Sequence, residues 1–272
     1  METLIDSVLS WIAERRKNVL SGNVNCIPSK FTRFRKDFVG VEQGKYYLIS
    51  AAPKCCKTQF TSYMFLYTVL DYAFLHPEIL RVKIFYFPLE ESKDMIIIRY
   101  MSHLLYQLSE GRIRISPEDL KSTNEKRILP EAILNLLGSF DYRQRLQFFE
   151  DHVEFSDERN PTGMWKLISN YADLHGKKKY KDIEYTNTST GEIVKHKKFD
   201  RYIPDDSNEY VFWYIDHLSL LQPERGMDLR ETINKCSEYG VIVRNKYRYS
   251  PVFVQQQSTN INLFQYFFVS LC

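Results

Sequence analysis

The chain has 272 residues, 44% hydrophobic and 15% aromatic, enough for one large α/β core or two small ones. Its formal charge of +3 permits nucleic-acid binding without arguing for it. No apolar run is long enough for a transmembrane helix. The start, Met1-Glu2-Thr3-Leu4-Ile5-Asp6, lacks the basic region and cleavage site of a signal peptide. Cys26, Cys55, Cys56, Cys236 and Cys272 are odd in number and lack C-x-x-C spacing, so neither a disulfide framework nor a zinc site is expected. A reducing cytoplasm is the expected setting.

Leu4, Ile5, Val8, Leu9, Ile12 and Val19 recur near helical spacing, which predicts an amphipathic helix over residues 1–22. It packs either on its own domain or as an arm on a neighbouring subunit. A first buried strand is predicted over 46–50 and a helix over 57–75. A second strand covers 83–87, followed by a helix over 93–110. Segment 117–140 reads as helical with breaks at Pro130 and Gly138. Leu146-Gln147-Phe148-Phe149 and Val153-Glu154-Phe155 suggest a third strand region. Asn160-Pro161-Thr162-Gly163 opens a helix over 163–175. Residues 176–209 carry Lys177-Lys178-Lys179, the turn signal Asn187-Thr188-Ser189-Thr190-Gly191 and His196-Lys197-Lys198, and read as a hairpin insertion. Its basic run is either a solvated face or a contact for nucleic acid or a partner. Val211-Phe212-Trp213-Tyr214-Ile215 gives the strongest strand signal. A helix over 228–247 and a last strand, Val252-Phe253-Val254, follow. Strands alternating with helices imply an α/β fold with a mostly parallel sheet covered on both faces.

The segment Ser50-Ala51-Ala52-Pro53-Lys54-Cys55-Cys56-Lys57-Thr58 lies between the first strand and its helix. A strand, a tight loop ending in Lys-Thr, then a helix is the layout of a phosphate-binding P-loop. Backbone N–H groups face the anion, the Lys57 ammonium reaches the outer phosphates, and the Thr58 hydroxyl holds Mg²⁺. Residues 51–58 are therefore the predicted nucleotide cradle. Asp216, at the end of an apolar strand, is placed to orient the metal. Glu90 follows the strand 83–87 and could polarise the attacking water. Gln257 ends the last strand. All four features fall at carboxyl ends of strands, the edge where open α/β sheets bind ligands.

These motifs together resemble replicative DNA helicases of the DnaB type, with their RecA-like ATPase core, and most closely the diverged phage members. The resemblance spans residues 20–258. Ala51 and Pro53 agree with that family's loop, and Lys57 and Thr58 match its phosphate Lys and Mg²⁺ hydroxyl. Phe87-Pro88-Leu89-Glu90 resembles the strand whose Glu activates water, and Arg99 falls where the family has Arg. Tyr214-Ile215-Asp216-His217-Leu218-Ser219-Leu220-Leu221 resembles the Walker B motif. Pro251-Val252-Phe253-Val254-Gln255-Gln256-Gln257 resembles the strand whose terminal Gln senses the γ-phosphate; counting from Pro251 favours Gln257, with Gln256 as the alternative.

The resemblance implies an ATP-dependent helicase acting in replication, using ATP and Mg²⁺. Single-stranded DNA would run through a hexameric ring, with a primase or loader as partner, in the cytoplasm (the host's, if viral). It implies catalytic roles for Glu90, Lys57 and Gln257, and metal roles for Thr58 and Asp216. The expected organisation is an N-terminal helix and linker over 1–35, the ATPase domain over 36–258 with the insertion at 176–209, and an atypical tail over 259–272. Two departures temper this. The family has Gly where this chain has Cys56, whose side chain could crowd the β-phosphate or strain the turn. The tail lacks Arg and Lys and reads as a truncated or rearranged end; losing an arginine finger costs about 10³–10⁵ in rate in related NTPases. The alternatives are a RecA-like recombinase or regulatory ATPase, or a scaffold with a degenerate P-loop.

Overall fold

The apolar runs become strands because both faces of each are covered. The structure, a computed structural model, describes residues 3–186, 193–257 and 268–271. In chain order it forms α1 (Leu4–Leu20), β1 (Ile27–Pro28), β2 (Gly40–Val41), β3 (Tyr47–Ala51) and α2 (Lys57–Ser62). A π-helical segment, Tyr63–Tyr67, joins α2 to α3 (Thr68–Leu75). Next come β4 (Arg81–Pro88), α4 (Lys93–Leu108), α5 (Pro117–Leu120), α6 (Glu131–Leu137), α7 (Phe140–His152) and β5 (Val153–Phe155). They are followed by α8 (Pro161–Leu174), β6 (Gly176–Thr186), β7 (Ile193–Pro204), β8 (Glu209–Asp216), α9 (Leu229–Tyr247), β9 (Ser250–Gln256) and β10 (Phe268–Leu271).

The central sheet has the order β10-β3-β9-β8-β4-β5. Five strands from β3 to β5 are parallel, and β10 pairs antiparallel with β3 at the edge. Period-2 alternation sorts each strand's side chains between two cores. Tyr47, Ile49, Ile84, Tyr86, Phe212, Tyr214, Val252 and Val254 share one core with Met64, Val69 and Leu70 after α2, and with Tyr100 and Leu104 of α4. Phe85, Phe87, Trp213, Ile215 and Phe253 share the other with Met164 and Ile168 of α8 and Cys236 and Val243 of α9. On that second face α9 approaches closely: a Cβ on Gly240 would come within 2.8 Å of the Tyr46 ring and 3.1 Å of the Phe253 ring.

The helices start where the capping chemistry places them. Asp228 and Glu231 form a capping box at α9, and Asn160 with Pro161 opens α8. The mostly parallel α/β sheet expected from the sequence is present. One element differs: Leu146-Gln147-Phe148-Phe149 lies inside α7, and the third strand is Val153–Phe155 alone. There Phe149 is buried while Gln147 faces out, which is a helical rather than an alternating pattern. The stretch 117–140 is less helical than expected: it divides into α5, a 3-10 turn (Glu125–Arg127) and α6. The hairpin insertion is present as β6 and β7; its turn signal at 187–191 lies outside the described residues. Ile5, Leu9 and Ile12 of α1 stay exposed, so the described body does not cover that apolar stripe. Within the tail, Phe268–Leu271 adds β10 to the sheet. No described helix is long and apolar enough to cross a membrane.

On α3, Asp71 is buried and holds Arg145 at 2.6 Å and Lys30 at 2.5 Å, while the Arg145 guanidinium lies over the Phe74 ring. Burial raises the Asp71 pKa, but the Lys30 and Arg145 charges outweigh it and hold the carboxyl below its ordinary value. Asp71→Ala should therefore cost about 3–5 kcal/mol in chemical denaturation, because it strands the nearly buried Arg145. Arg81→Ala, which breaks the exposed pair with Asp206, should stay within about 1 kcal/mol. Equal losses in the two variants would contradict this weighting.

Candidate nucleotide site

Parallel register brings the predicted site residues to one edge. Ala51 of β3 lies opposite Gln256 of β9, and Pro88 of β4 lies opposite Asp216 of β8. Backbone hydrogen bonds tie the loops beyond these strands together. The Gln257 N–H donates to the Ala51 carbonyl at 3.0 Å, and the Leu89 and Glu90 N–H groups donate to the Asp216 carbonyl at 3.0 and 3.2 Å.

The loop from Ala52 to Cys56 leads directly into α2, whose first residue is Lys57. Two of its residues, Lys54 and Cys56, take positive φ, at 62° and 56°. Cys56 is the residue immediately before the helix, with φ 56° and ψ 24°. A β-carbon in that left-handed region costs about 1–2 kcal/mol, which glycine avoids. The strain expected from Cys56 in place of Gly is thus visible in the backbone. Its side chain is exposed, and that of Cys55 is half-buried.

Lys57 is buried, and its ammonium lies 3.3 Å from Gln256 Oε1. Of the two glutamines weighed for γ-phosphate sensing, Gln256 is the one whose side chain contacts the P-loop lysine. The signal was available in the strand's parity: Gln256 shares a face with Val252 and Val254, the face that α2 covers, whereas Gln255 and Gln257 have the parity of Phe253. Gln255 instead donates to Ser219 Oγ at 3.0 Å.

Asp216 is buried, with its Oδ1 lacking a hydrogen-bond partner among the described residues. Burial pushes its carboxyl up to about 6, reinforced by the negative Glu90; the Thr58 hydroxyl and Lys57 ammonium oppose the rise. Glu90 is partly exposed, with Oε2 3.7 Å from His217 Nε2. His217 follows Asp216 in the chain, and burial lowers its pKa against the pull of Glu90, so it is neutral at neutral pH. Its Nδ1 is also buried and unpartnered. Apart from its place in the Asp216 motif, sequence reasoning gave His217 no role; its position beside Glu90 depends on the pairing of β4 with β8. Arg99 turns to Glu91 at 2.5 Å rather than to Glu90.

An orphaned carboxylate oxygen, an adjacent hydroxyl and a buried ammonium are the donor set that a metal–triphosphate complex would satisfy. The described residues contain no group of three or more His, Cys, Asp or Glu side chains placed to hold a metal. A divalent ion here would therefore draw most of its ligands from phosphate and water, as Mg²⁺ does. Beside the site a cleft of about 610 Å³ is lined by His217, Ser219, Arg230, Asn234, Gln255 and Gln256, among others.

No protein-family model matches the chain, and no curated protein matches it. Among solved structures it is similar to a DnaB-like replicative helicase, a structure that also describes that helicase's interactions with primase. The TM-score is 0.57 at 15% identity, covering 95% of this chain and 49% of the other. At that identity the likeness is one of fold, and the chain spans about half the length of the helicase it matches. The class so defined is one of fold: an α/β protein with a central, mostly parallel sheet flanked by helices, consistent with a RecA-like core.

Because burial raises the Asp216 pKa, its ionised form disfavours folding. The proton is held more tightly in the folded chain, so stability falls as pH rises from the unfolded value near 3.8 through about 6. The upper limit of the loss is roughly 3 kcal/mol. Asp216→Asn should therefore melt above wild type at pH 7.5 without nucleotide, and the gap should close below pH 4. A gap independent of pH, or a less stable variant at pH 7.5, would contradict the assignment.

Proposed function

We propose that the chain is the motor domain of an ATP-dependent DNA helicase of the DnaB type, working in replication on single-stranded DNA. The observation that carries this reading is the convergence of Lys57, Thr58, Asp216, Glu90 and Gln256 on one edge of a RecA-like sheet. Residues 51–58 cradle the triphosphate of ATP, with the Lys57 ammonium on its outer phosphates. Bound Mg²⁺ would neutralise phosphate charge, held through the Thr58 hydroxyl and oriented by Asp216. Glu90 accepts a proton from the attacking water, and neutral His217 beside it limits how far the carboxylate can swing. Gln256, resting on Lys57 without nucleotide, exchanges that contact for the terminal phosphate, and Gln257 extends the signal into the segment beyond β9. A ring of identical subunits places the site between copies, and a primase or loader is the expected partner. The likeness to a helicase studied with primase supports these last points.

A second reading, a scaffold that binds nucleotide poorly, is favoured by one feature, the left-handed Cys56. Its strain is present with and without ligand and so affects stability. Its thiol, exposed at the mouth of the loop, would affect affinity by crowding the phosphates. Cys56→Gly separates the two effects: nucleotide affinity should rise at least about tenfold if the rest of the site is intact. Unchanged affinity would mean that Cys56 is not what limits binding.

Glu90→Gln tests the motor reading directly. In a single-turnover assay the hydrolysis rate should fall at least about 10²-fold while nucleotide affinity stays within about threefold of wild type. Retained hydrolysis would remove Glu90 from the reaction.

A further inference from the structure

The β6–β7 hairpin departs from the rest of the chain in charge. Residues 176–204 contain seven lysines and Arg201 against four carboxylates, a net +4, so the remainder of the chain sums to −1 against a total of +3. The hairpin springs from the end of α8 and returns at the start of β8. It therefore lies at the amino edge of the sheet, on the order of 20 Å along β8 from Asp216.

The register sorts these charges by face. Lys178 pairs with Tyr202, and Tyr180 with Phe199. Except at Tyr180, which is exposed, this face turns to the body: Lys178 reaches Asp173 at 2.5 Å, Tyr202 donates to the Ala172 carbonyl, and Lys246 lies over the Phe199 ring. On the opposite face Lys179 lies across from Arg201 and Lys181 across from Lys198, with Lys177 two residues before Lys179. All five are exposed. Lys181 has Asp200 at 3.3 Å; Lys177, Lys179, Lys198 and Arg201 have no ion-pair partner among the described residues. Like charges directly opposite on paired strands are destabilising. Two consecutive such pairs on the outer face, while the inner face neutralises its own charges, indicate that the outer face is compensated by something outside the chain.

We infer that this outer face binds the phosphate backbone of duplex nucleic acid, separately from the nucleotide edge. Along an antiparallel strand residues i and i+2 are about 6.8 Å apart. Lys177, Lys179 and Lys181 thus form a line of cations, closely enough spaced to face a backbone that carries one charge per about 3.4 Å of axis on each strand. A two-stranded ribbon also has the width that the major groove admits. The exposed aromatic nearest the two cation pairs, Tyr180, lies on the opposite face of the ribbon and stacks no base beside them, so recognition is electrostatic, independent of sequence, and better suited to a duplex than to a single strand.

The test is anisotropy of the full chain with a labelled duplex of mixed sequence, and with one of its strands alone, titrated with salt from about 50 to 200 mM. Wild type should bind the duplex at least as tightly as the strand. The combined variant Lys179→Gln, Lys181→Gln, Lys198→Gln, Arg201→Gln should lose at least about tenfold in duplex affinity at low salt. Its plot of log K against log [salt] should flatten by about 3.6, at about 0.9 per lost phosphate contact. The variant Lys179→Arg, Lys181→Arg, Lys198→Arg should bind as wild type, which excludes a folding defect. Lys57→Ala should also bind duplex as wild type, so failure of the nucleotide reading leaves this result distinct. Unchanged duplex affinity in the Gln variant would overturn the inference. So would a loss seen only with polyglutamate, which would assign the face to an acidic protein.

Discussion

Parallel pairing of β3, β9, β8 and β4 is the constraint on which the site depends. Each of these strands is buried on both faces, so its register is fixed by packing rather than by a turn, and a one-residue slip would turn Tyr214 and Phe212 into the wrong core. With the register set, Ala51 is level with Gln256 and Pro88 with Asp216, the second pair two residues short of the first, and every loop leaving the edge starts from a defined point. The P-loop lysine, the buried carboxylate and the exposed glutamate come from segments separated by many residues, yet none needs a long side-chain reach to join the group.

The same edge carries the chain's stored electrostatic cost. Asp216 is buried without a partner for one oxygen, and Glu90 adds a second negative charge nearby. A native fold normally pairs such groups. Here the compensation is Lys57 and the Thr58 hydroxyl, which only partly offset burial. The Cys56 backbone is a second local cost, and it lies in the same loop. By contrast the Asp71–Arg145–Lys30 group, whose Asp71 and Arg145 are also buried, satisfies its charges within the chain and serves the core.

Much of this was legible in the sequence. Lys57, Thr58, Glu90 and Asp216 could be singled out because strand-end position and residue type together restrict the chemistry. Strand β8 was evident from its unbroken apolar run, as a doubly covered strand should be. The run Leu146-Gln147-Phe148-Phe149 was misjudged because four residues cannot separate a helical from an extended pattern. Counting from Pro251 favours Gln257, whereas the parity of β9 is what places the Gln256 side chain beside Lys57. The sorting of hairpin charges could not be read at all, since the bulge between Lys179 and Tyr180 sets which lysines oppose one another.

The account's central claim is that this edge holds a triphosphate through Lys57. It is tested most directly by titrating a fluorescent ATP analogue with Mg²⁺ into wild type and Lys57→Ala side by side. The account predicts saturable binding by wild type with a Kd on the order of micromolar, weakened at least about tenfold in the variant. Equal affinity in the two proteins, or no binding by either, would contradict it.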